Sequence, residues 1–452
     1  MNRRDLLALS GALAAASLAG CADEMAPRAD STPDATDTPT GTEPPAAEPP
    51  EEPPQGEPQV DDERLAALAA GNAGFALDLH RQLADTQGGN TFLSPYSISV
   101  ALAMTYAGAR GDTETELRET LRYTLGEDVH DAFAEIDDAL DARETTTDPT
   151  ADEEDAEVDA FRLAVANAVW GQEGYPFSEA YLDLLAEQYD GGFREADFAG
   201  DPESERERIN EWVADETNGK IEELLPPGSV GPDTVLALTN AIYFMAGWHH
   251  QFDPENTTQE SVTALDGSTA TVPMMAQSLE TDYADLPRAQ AIELPYTGED
   301  VSMVLVLPDA GEFEAFERDL DASTLFGIFE ALGRAEGDLQ LPRFEYGFDA
   351  KLSKPLAELG MPNAFTPDAD FSGMVAGDDG PWIDEVYHQS FVSVDEEGTE
   401  AAASTAVLTL ESMPPESFDL TFDRPFLFCI RDKPTDTVLF LGRVTDVGAA
   451  QG

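Results

Sequence analysis

One stretch near the end of this 452-residue chain constrains its fold more than any other. From Asp395 to Met413 there is no proline, and two prolines follow directly. Between Glu400 and Glu411 no side chain is charged, although the chain holds 91 acidic residues and a net charge of −67. Proline removes a ladder hydrogen bond and a buried unpaired charge is costly. This neutral run is therefore able to become a central β-strand.

The same run alternates between two side-chain faces in an extended conformation. One face holds small or β-branched residues, which are Thr399, Ala401, Ala403, Thr405, Val407 and Thr409. The other face is mixed and partly polar. Alanine is weakly disposed to form strands, so on composition alone an alanine-rich surface helix or linker is the better interpretation. Gly398 at the base of the run gives the backbone freedom to turn.

The charge excludes several classes of partner. The chain holds 24 Lys and Arg, too few to neutralise nucleic-acid phosphates or to bind heparin. Only Lys220, Lys351, Lys354 and Lys433 are lysines. An acidic, lysine-poor surface favours a protein kept soluble by self-repulsion in concentrated salt. The alternative is an ordinary acidic protein with disordered acidic tails.

The chain begins with the features of an export signal. Arg3 and Arg4, followed by a short apolar run, resemble a twin-arginine signal peptide. Leu18–Cys21 resembles a lipobox, in which the cysteine is lipidated after cleavage. We expect residues 1–20 to be removed and Cys21 to anchor an extracellular protein to the outer face of the cell membrane. The alternative is a plain secreted protein with an incidental cysteine.

The remainder divides into a tether and one domain. Residues 21–62 are rich in Pro, Thr, Asp and Glu and hold almost no large apolar side chains, which predicts a disordered tether. No similar linker divides the rest, so residues 63–449 are predicted to form a single domain. Within it, the acidic segment from Glu144 to Asp159 is predicted to be a solvated insertion.

Helical and strand patterns alternate along the domain. Apolar spacing predicts helices over residues 65–83, 97–108 and 208–224, the last ending near Gly219. Five apolar runs predict strands, and these are residues 165–170, 235–243, 291–294, 301–307 and 438–441. Helices dominate the first third and strands the second half, which indicates an α+β fold with antiparallel or mixed sheets.

Motifs of common enzyme families are absent. The sequence contains no G-x-S-x-G, no H-E-x-x-H, no P-loop and no strand-linked G-x-G-x-x-G. The adjacent His249 and His250 would point to opposite faces of a strand, which is poor geometry for a metal. Cys429 lies in an apolar run typical of a buried strand, so we expect a small core residue rather than a nucleophile. We expect no catalytic residue, metal or cofactor, and no enzyme activity.

Five blocks, spread over residues 63 to about 446, resemble one known family. Glu396–Thr405 is similar to E-E-G-T-E-A-A-A-A-T, the hinge of inhibitory serpins, a family of serine protease inhibitors. The other blocks that resemble serpin motifs are Asn90–Ile98, Thr239–Trp248, Phe422–Phe428 and Leu439–Val444. The resemblance favours the insertable strand over the surface helix. With its leader and its charge, the chain resembles a prokaryotic, haloarchaeal-like exported form of the family.

The resemblance implies both a fold and an activity. The serpin fold has three β-sheets, eight or nine helices and an exposed reactive-centre loop. A serine protease attacks this loop, forms an acyl-enzyme and is trapped when the cut loop inserts into the central sheet. The implied hinge residues are Glu396, Glu397, Gly398, Thr399, Glu400, Ala401, Ala402, Ala403, Ser404 and Thr405. The small side chains of Thr399 and Ala401–Ala403 match inhibitory members; the alternative is a non-inhibitory serpin with a binding or structural role.

The resemblance leaves two interpretations of the bond that the protease cleaves. Counting from Gly398 places the bond between Ser412 and Met413. Comparison with relatives that end in R-S-M places it between Glu411 and Ser412 instead. No basic residue lies near either bond. We therefore expect the partner to be an extracellular protease of subtilisin, chymotrypsin or elastase type, or a glutamyl-specific one, and the inhibitor to be a monomer.

Other residues have structural roles implied by the resemblance. The shutter, where hydrogen bonds hold the central strands together, corresponds to Ser94, Ser97, Asn240 and His388. The breach, where the loop first enters the sheet, corresponds to Trp248. Arg343 is expected to pair with Glu396 at the base of the loop. On this interpretation the histidine of the shutter is structural rather than a catalytic base.

Overall fold

The computed structural model describes residues 62–147, 157–159, 161–189, 192–377, 380–399 and 416–451. Nine α-helices lie within these ranges: α1 Asp62–Gln87, α2 Pro95–Tyr106, α3 Gly111–Thr120, α4 Val129–Asp141, α5 Glu179–Gln188, α6 Pro202–Glu216, α7 Phe313–Asp319, α8 Ala322–Ala331 and α9 Ser353–Leu359. Among the helices described, none combines the length and the apolar composition needed to span a membrane.

The same ranges contain seventeen β-strands. In chain order they are β1 Thr91–Leu93, β2 Thr145–Thr147, β3 Glu157–Asp159, β4 Arg162–Gln172, β5 Phe193–Ala196, β6 Leu236–Gly247, β7 Thr258–Thr263, β8 Thr269–Leu286, β9 Ala289–Pro295, β10 Val301–Pro308, β11 Gly333–Pro342, β12 Phe344–Lys351, β13 Val386–Val394, β14 Gly398–Thr399, β15 Glu416–Thr421, β16 Phe426–Asp432 and β17 Thr437–Val444.

The described strands form three sheets. The largest has nine strands in the order β1-β17-β16-β10-β9-β8-β11-β15, with β7 paired to β8. All of its pairings are antiparallel except that of β11 with β15. The second sheet has six strands in the order β12-β13-β6-β4-β5, with β14 paired to β6. The third contains β2 and β3.

Two hydrophobic cores position the six-stranded sheet. The main core lies between this sheet, the nine-stranded sheet and helices that include α1 and α2. Phe92 of β1 stacks there on Phe440 of β17, with ring centroids 4.9 Å apart. On the other face of the six-stranded sheet, α6 packs Ile209 and Val213 into a cluster rich in strand alanines. Small strand residues allow a helix to approach the sheet closely, so both faces of the sheet are covered.

The elements predicted from apolar spacing are present, although their boundaries differ, most clearly for the third predicted helix. The first two predicted helices correspond to α1 and α2, and the five predicted strands to β4, β6, β9, β10 and β17. The third predicted helix corresponds to α6 but ends at Glu216 rather than near Gly219. Asn218 and Gly219 adopt φ angles of 52° and 76°, and the Gly219 N–H donates to the Ala214 carbonyl at 2.7 Å. Left-handed residues close the helix there.

The acidic insertion begins and ends in regular structure, which the sequence did not indicate. Residues 145–147 and 157–159 pair as antiparallel strands β2 and β3, with Thr145 opposite Asp159. The chain therefore leaves and re-enters the domain at neighbouring positions. Residues 148–156 lie outside the described residues.

A buried ion pair gives a test of the fold. Glu293 and Arg431 have side chains that are 3% and 8% exposed, and the closest N···O distance between them is 2.9 Å. Glu293→Ala would leave the guanidinium without this buried partner, so we expect the apparent free energy of unfolding to fall by about 3–5 kcal/mol. Denaturant midpoints measured in high salt check this. The control is Glu280→Ala, which removes the exposed ion pair with Arg334 and should cost much less stability, because solvent screens that pair. Equal losses in the two variants would contradict the prediction.

Candidate functional site

The site centres on the pairing of β6 with β13 in the six-stranded sheet. These strands are parallel, and their register runs from Val386 opposite Leu238 to Phe391 opposite Tyr243. Each is antiparallel to its other neighbour, β6 to β4 and β13 to β12. A parallel pair is slightly less stable per residue than an antiparallel one. A strand antiparallel to both β6 and β13 would therefore fit between them, and we call this pairing the seam.

The chain turns back into the seam directly after β13. The Asp395 N–H donates to the Gly398 carbonyl at 3.0 Å, and its carboxylate accepts the backbone N–H groups of Glu397 and Gly398 at 2.9 and 3.2 Å. This turn directs β14 along β6 in the antiparallel sense, with Thr399 opposite Ala246. Two residues of a further strand are thus already paired at the open end of the seam. We call Asp395–Thr399 the loop base.

Gly398 is required here by space as well as by conformation. Its φ angle is 153°, which side-chain-bearing residues rarely adopt. A Cβ atom at this position would lie 2.2 Å from the Ala246 carbonyl oxygen and 2.7 Å from the Gly247 Cα. The sequence indicated only freedom to turn. The structure adds that no other residue fits beside β6 without moving its backbone.

Two aromatic residues line the entrance to the seam. Trp248 and Tyr296 stack with ring centroids 4.6 Å apart and an interplanar angle of 6°. The indole Nε1 of Trp248 donates to the Asp395 carbonyl at 3.0 Å, and the phenol oxygen of Tyr296 lies 2.8 Å from the hydroxyl oxygen of the buried Thr399. Burial raises the pKa of the Tyr296 phenol, so its proton stays in place for this hydrogen bond. The pair contacts both ends of the loop base.

An ion pair joins the loop base to the start of β12, the strand that neighbours β13 in the sheet. The Glu396 carboxylate, 4% exposed, pairs with the Arg343 guanidinium just before β12 and also accepts the Thr257 hydroxyl. The Glu396 carbonyl accepts the N–H of Phe252 at 2.9 Å. Burial disfavours the charged carboxylate, but the hydrogen bonds from Arg343 and Thr257 outweigh burial and hold the pKa of Glu396 below its ordinary value.

A buried polar cluster joins the seam to the helix beneath it. It consists of Ser97 on α2, Asn167 on β4, Asn240 on β6 and His388 on β13. The Asn240 amide donates to the Ser97 hydroxyl and to the Asn167 side-chain oxygen, both at 2.6 Å. The Ser97 hydroxyl donates to the same oxygen at 3.0 Å. Buried polar groups that are satisfied in this way fix one arrangement of three strands and a helix.

Asn167 completes this cluster and was missed by the sequence analysis. It lies opposite Asn240 in the register of β4 with β6 and donates to the Ser97 carbonyl at 3.1 Å. The available signal was a single amide within the otherwise apolar strand run that includes residues 165–170.

His388 is held in one tautomer by the cluster. Because the Asn240 amide nitrogen donates elsewhere, its side-chain oxygen faces the imidazole and accepts from Nδ1. The other ring nitrogen, Nε2, is buried without a hydrogen-bond partner among the described residues. Burial lowers the pKa of this imidazole to about 3. A group that binds protons this weakly is unsuited to act as a general base near neutral pH.

Three other sequence interpretations can be compared with the structure. Ser94 caps α2 by accepting the Ser97 N–H at 3.2 Å, and its hydroxyl donates to the Leu439 carbonyl at 2.6 Å. Cys429 is buried in β16 with no disulfide, and burial raises the pKa of its thiol to about 12, as expected of a core residue. The interpretation of His249 and His250 was wrong, because β6 ends before them and their ring centroids lie only 4.5 Å apart.

The remaining predicted positions lie outside the described residues. They are Cys21, the hinge positions Glu400, Ala401, Ala402, Ala403, Ser404 and Thr405, and the bait positions Glu411, Ser412 and Met413. Within the described part of the chain, no group of three or more His, Cys, Asp or Glu residues is placed to hold a metal ion.

Comparisons with known proteins agree on one family. A family model described as serpin (serine protease inhibitor) matches residues 70–447. An uncharacterized serpin-like protein of Thermococcus kodakarensis is 38% identical over 374 residues, which is 82% of this chain and 83% of that protein. The leukocyte elastase inhibitor of Bos taurus is 37% identical over 388 residues, covering 84% and 99%. Tengpin, a thermophilic serpin solved in the native state, matches with a TM-score of 0.72 and 28% identity, covering 86% and 96%.

The buried imidazole predicts a pH dependence of stability. Below the ordinary histidine pKa of 6.5 the unfolded chain gains a proton that His388 accepts only near pH 3. The stability associated with this group is therefore complete above about pH 6.5 and falls with pH at about 1.4 kcal/mol per unit below it. His130, whose pKa burial lowers to about 4, adds a slope of the same sign.

His388→Gln should flatten this dependence, since glutamine does not titrate and its amide can still donate to Asn240. Denaturant midpoints of the wild type and the variant between pH 4 and 8 measure the difference. Parallel curves would show that the buried imidazole does not control the slope.

Proposed function

The chain belongs to the serpin family, and on this premise we propose that it inhibits an extracellular serine protease by suicide trapping. The observation that carries the proposal is β14, which pairs antiparallel with β6 at the open end of the seam. The direction and the position of these two residues are those that a strand needs in order to continue between β6 and β13. The match to an elastase inhibitor over nearly its whole length supports the same activity.

The connectivity explains why cleavage is needed for insertion. Thr399 is the last described residue of the six-stranded sheet, and the next described residue is Glu416 in β15, which pairs with β11 in the nine-stranded sheet. An intact segment 400–415 is fixed at both ends. Once one bond in it is cut, the part that follows Thr399 is released from β15 and is free to extend along the seam. The inserted strand replaces one parallel ladder with two antiparallel ladders.

The trapping step uses the chemistry of the protease rather than a catalytic residue of this chain. The protease serine attacks the carbonyl carbon of the bait bond, an ester to the serine oxygen forms, and the amine of the following residue leaves with the C-terminal fragment. Insertion then carries the ester-linked protease along the sheet before water hydrolyses the ester. Fourteen extended residues span at most about 46–50 Å, so the displacement is large enough to distort the protease. The inhibitor is consumed, which makes it a substrate-like trap rather than an enzyme.

The loop base favours inhibition over mere cleavage. Thr399 is 1% exposed and is the last described residue before the loop. On insertion, the residues that share its side-chain face, beginning with Ala401, would follow it into the same buried strip. Ala401–Ala403 are small and uncharged, and burying them costs no unpaired charge. The bait bond is Ser412–Met413 or Glu411–Ser412. Both interpretations favour a protease of subtilisin, chymotrypsin or elastase type, or a glutamyl-specific one.

We further propose that the inhibitor is exported, lipid-anchored at Cys21 and active in high salt as a monomer. The twin-arginine-like leader, the lipobox-like Leu18–Cys21 and the net charge of −67 support this location. An anchored inhibitor on an acidic tether would protect the cell surface from external proteases.

The inhibitory mechanism is tested with two matched variants. Mixing the wild-type protein with a subtilisin-type protease in high salt should give an SDS-stable complex and a released C-terminal peptide whose mass identifies the bond. Thr399→Arg places a charge in a buried position, so we expect at least a tenfold loss of complex while cleavage continues. Thr86→Arg, at an exposed end of α1, should leave complex formation unchanged.

Cleavage of the wild type without any complex would contradict the proposal. It would indicate a non-inhibitory serpin, for which loop cleavage should also give no gain in thermal stability.

The anchor is tested separately through its cysteine. Expressed in a host with lipoprotein processing, the wild type should partition with membranes and carry a lipid mass on an N-terminal Cys21. Cys21→Ser should be recovered in the soluble fraction, with complex formation by the folded domain unchanged. Equal partitioning of the two proteins would rule out a lipid anchor at this position.

A further inference from the structure

A lysine lies over the seam at the point where insertion has to proceed. The turn that closes α6 positions it: the Thr217 hydroxyl donates to the Val213 carbonyl at 2.7 Å, and the Lys220 N–H donates to the Thr217 carbonyl at 3.0 Å. The Lys220 ammonium lies 5.5 Å from the ring centroid of Tyr243 and 5.8 Å from that of Phe391. Both distances fall within the range of cation–π attraction.

The two rings belong to opposite sides of the seam. Tyr243 on β6 and Phe391 on β13 are the last cross-strand pair of the parallel register, and their ring centroids are 6.2 Å apart. Directly beyond them the entrance begins, where Thr399 is already paired with Ala246. Insertion beyond Thr399 therefore begins by separating Tyr243 from Phe391.

We propose that Lys220 is a latch on the seam: by bridging Tyr243 and Phe391 it holds β6 and β13 together and slows insertion of the loop strand. This inference rests on the proposed insertion mechanism and adds a positioning residue to it. The latch lies on the face covered by α6, whereas Thr399 faces the main core, so it does not touch the loop base.

The geometry explains why the latch has to release. Neighbouring strands lie about 4.8 Å apart, so a strand inserted between β6 and β13 moves them about 4.8 Å further from each other. The ring centroids, now 6.2 Å apart, would then be separated by nearly twice that distance. An ammonium within reach of both would have to occupy the midpoint, where the inserted strand places its own side chains. At least one of the two contacts is therefore lost as the seam opens.

The chain offers a matched control. Lys351 on β12 lies 5.2 Å from the ring centroid of Tyr387, which is its direct neighbour on β13. β12 and β13 remain adjacent when a strand enters between β13 and β6, so this cation–π contact survives insertion. Lys351 therefore shares the chemistry of Lys220 without its position across the seam.

Annealing of a synthetic peptide of residues 399–412 into the sheet tests the latch. Incorporation is followed in high salt by native gel mobility and by the rise in thermal stability. Losing one such contact changes a rate by about two- to five-fold, so Lys220→Gln should anneal the peptide faster by that factor. Lys220→Arg keeps the cation and should retain the wild-type rate, and Lys351→Gln should also match the wild type.

The outcomes separate the latch from the mechanism on which it rests. If the wild type and all variants fail to take up the peptide, the proposed insertion is wrong. If the wild type takes it up and Lys220→Gln does so at the same rate, the seam opens without a latch and the proposed function stands. An equal acceleration in Lys351→Gln would also overturn the inference, because it would indicate a general effect of removing a lysine.

Discussion

The parallel pairing of β6 with β13 is the interaction on which the rest of the structure depends. Both strands come from distant parts of the chain, and each is antiparallel to its other neighbour in the sheet. A sheet arranged in this way has room for one more strand of the opposite direction. The turn at Asp395 supplies two residues of such a strand, Gly398 and Thr399. The proposed trap requires a fold that stores free energy and releases it when the loop strand completes this pairing.

Interactions converge on the seam from both faces and from its open end. Beneath it, the amides of Asn167 and Asn240 connect both strands of the pair to α2 through Ser97 and His388. At the open end, the stacked Trp248 and Tyr296 contact the loop base. On the outer face, a lysine bridges one ring from each strand. Each interaction is modest, and under the proposed function their number would make opening of the seam cooperative.

The acidic composition and the function concern different parts of the chain. The net charge of −67 disfavours polyanions as partners and is the basis of the proposal that the protein works in high salt. In the described loop base, the buried carboxylate of Glu396 is paired with Arg343 rather than exposed. The run between Glu400 and Glu411 carries no charge, so it can be buried at a lower cost than the acidic surface. Under the proposed function, solubility in salt and insertion of the loop depend on separate residues and are therefore compatible within one sequence.

The sequence by itself determined the class of fold, the main helices and strands and the family, because apolar spacing and local motifs depend on residues that are close together in the chain. It also indicated that the backbone turns at Gly398 and that Arg343 pairs with Glu396. It could not show that Asn167 completes the polar cluster or that Lys220 lies over two rings. Those facts depend on strand register and on the packing of α6 against the sheet, which join residues that are distant in sequence. Only the tertiary structure decides such contacts. A shift of one residue in the strand register would move each strand side chain to the other face of the sheet.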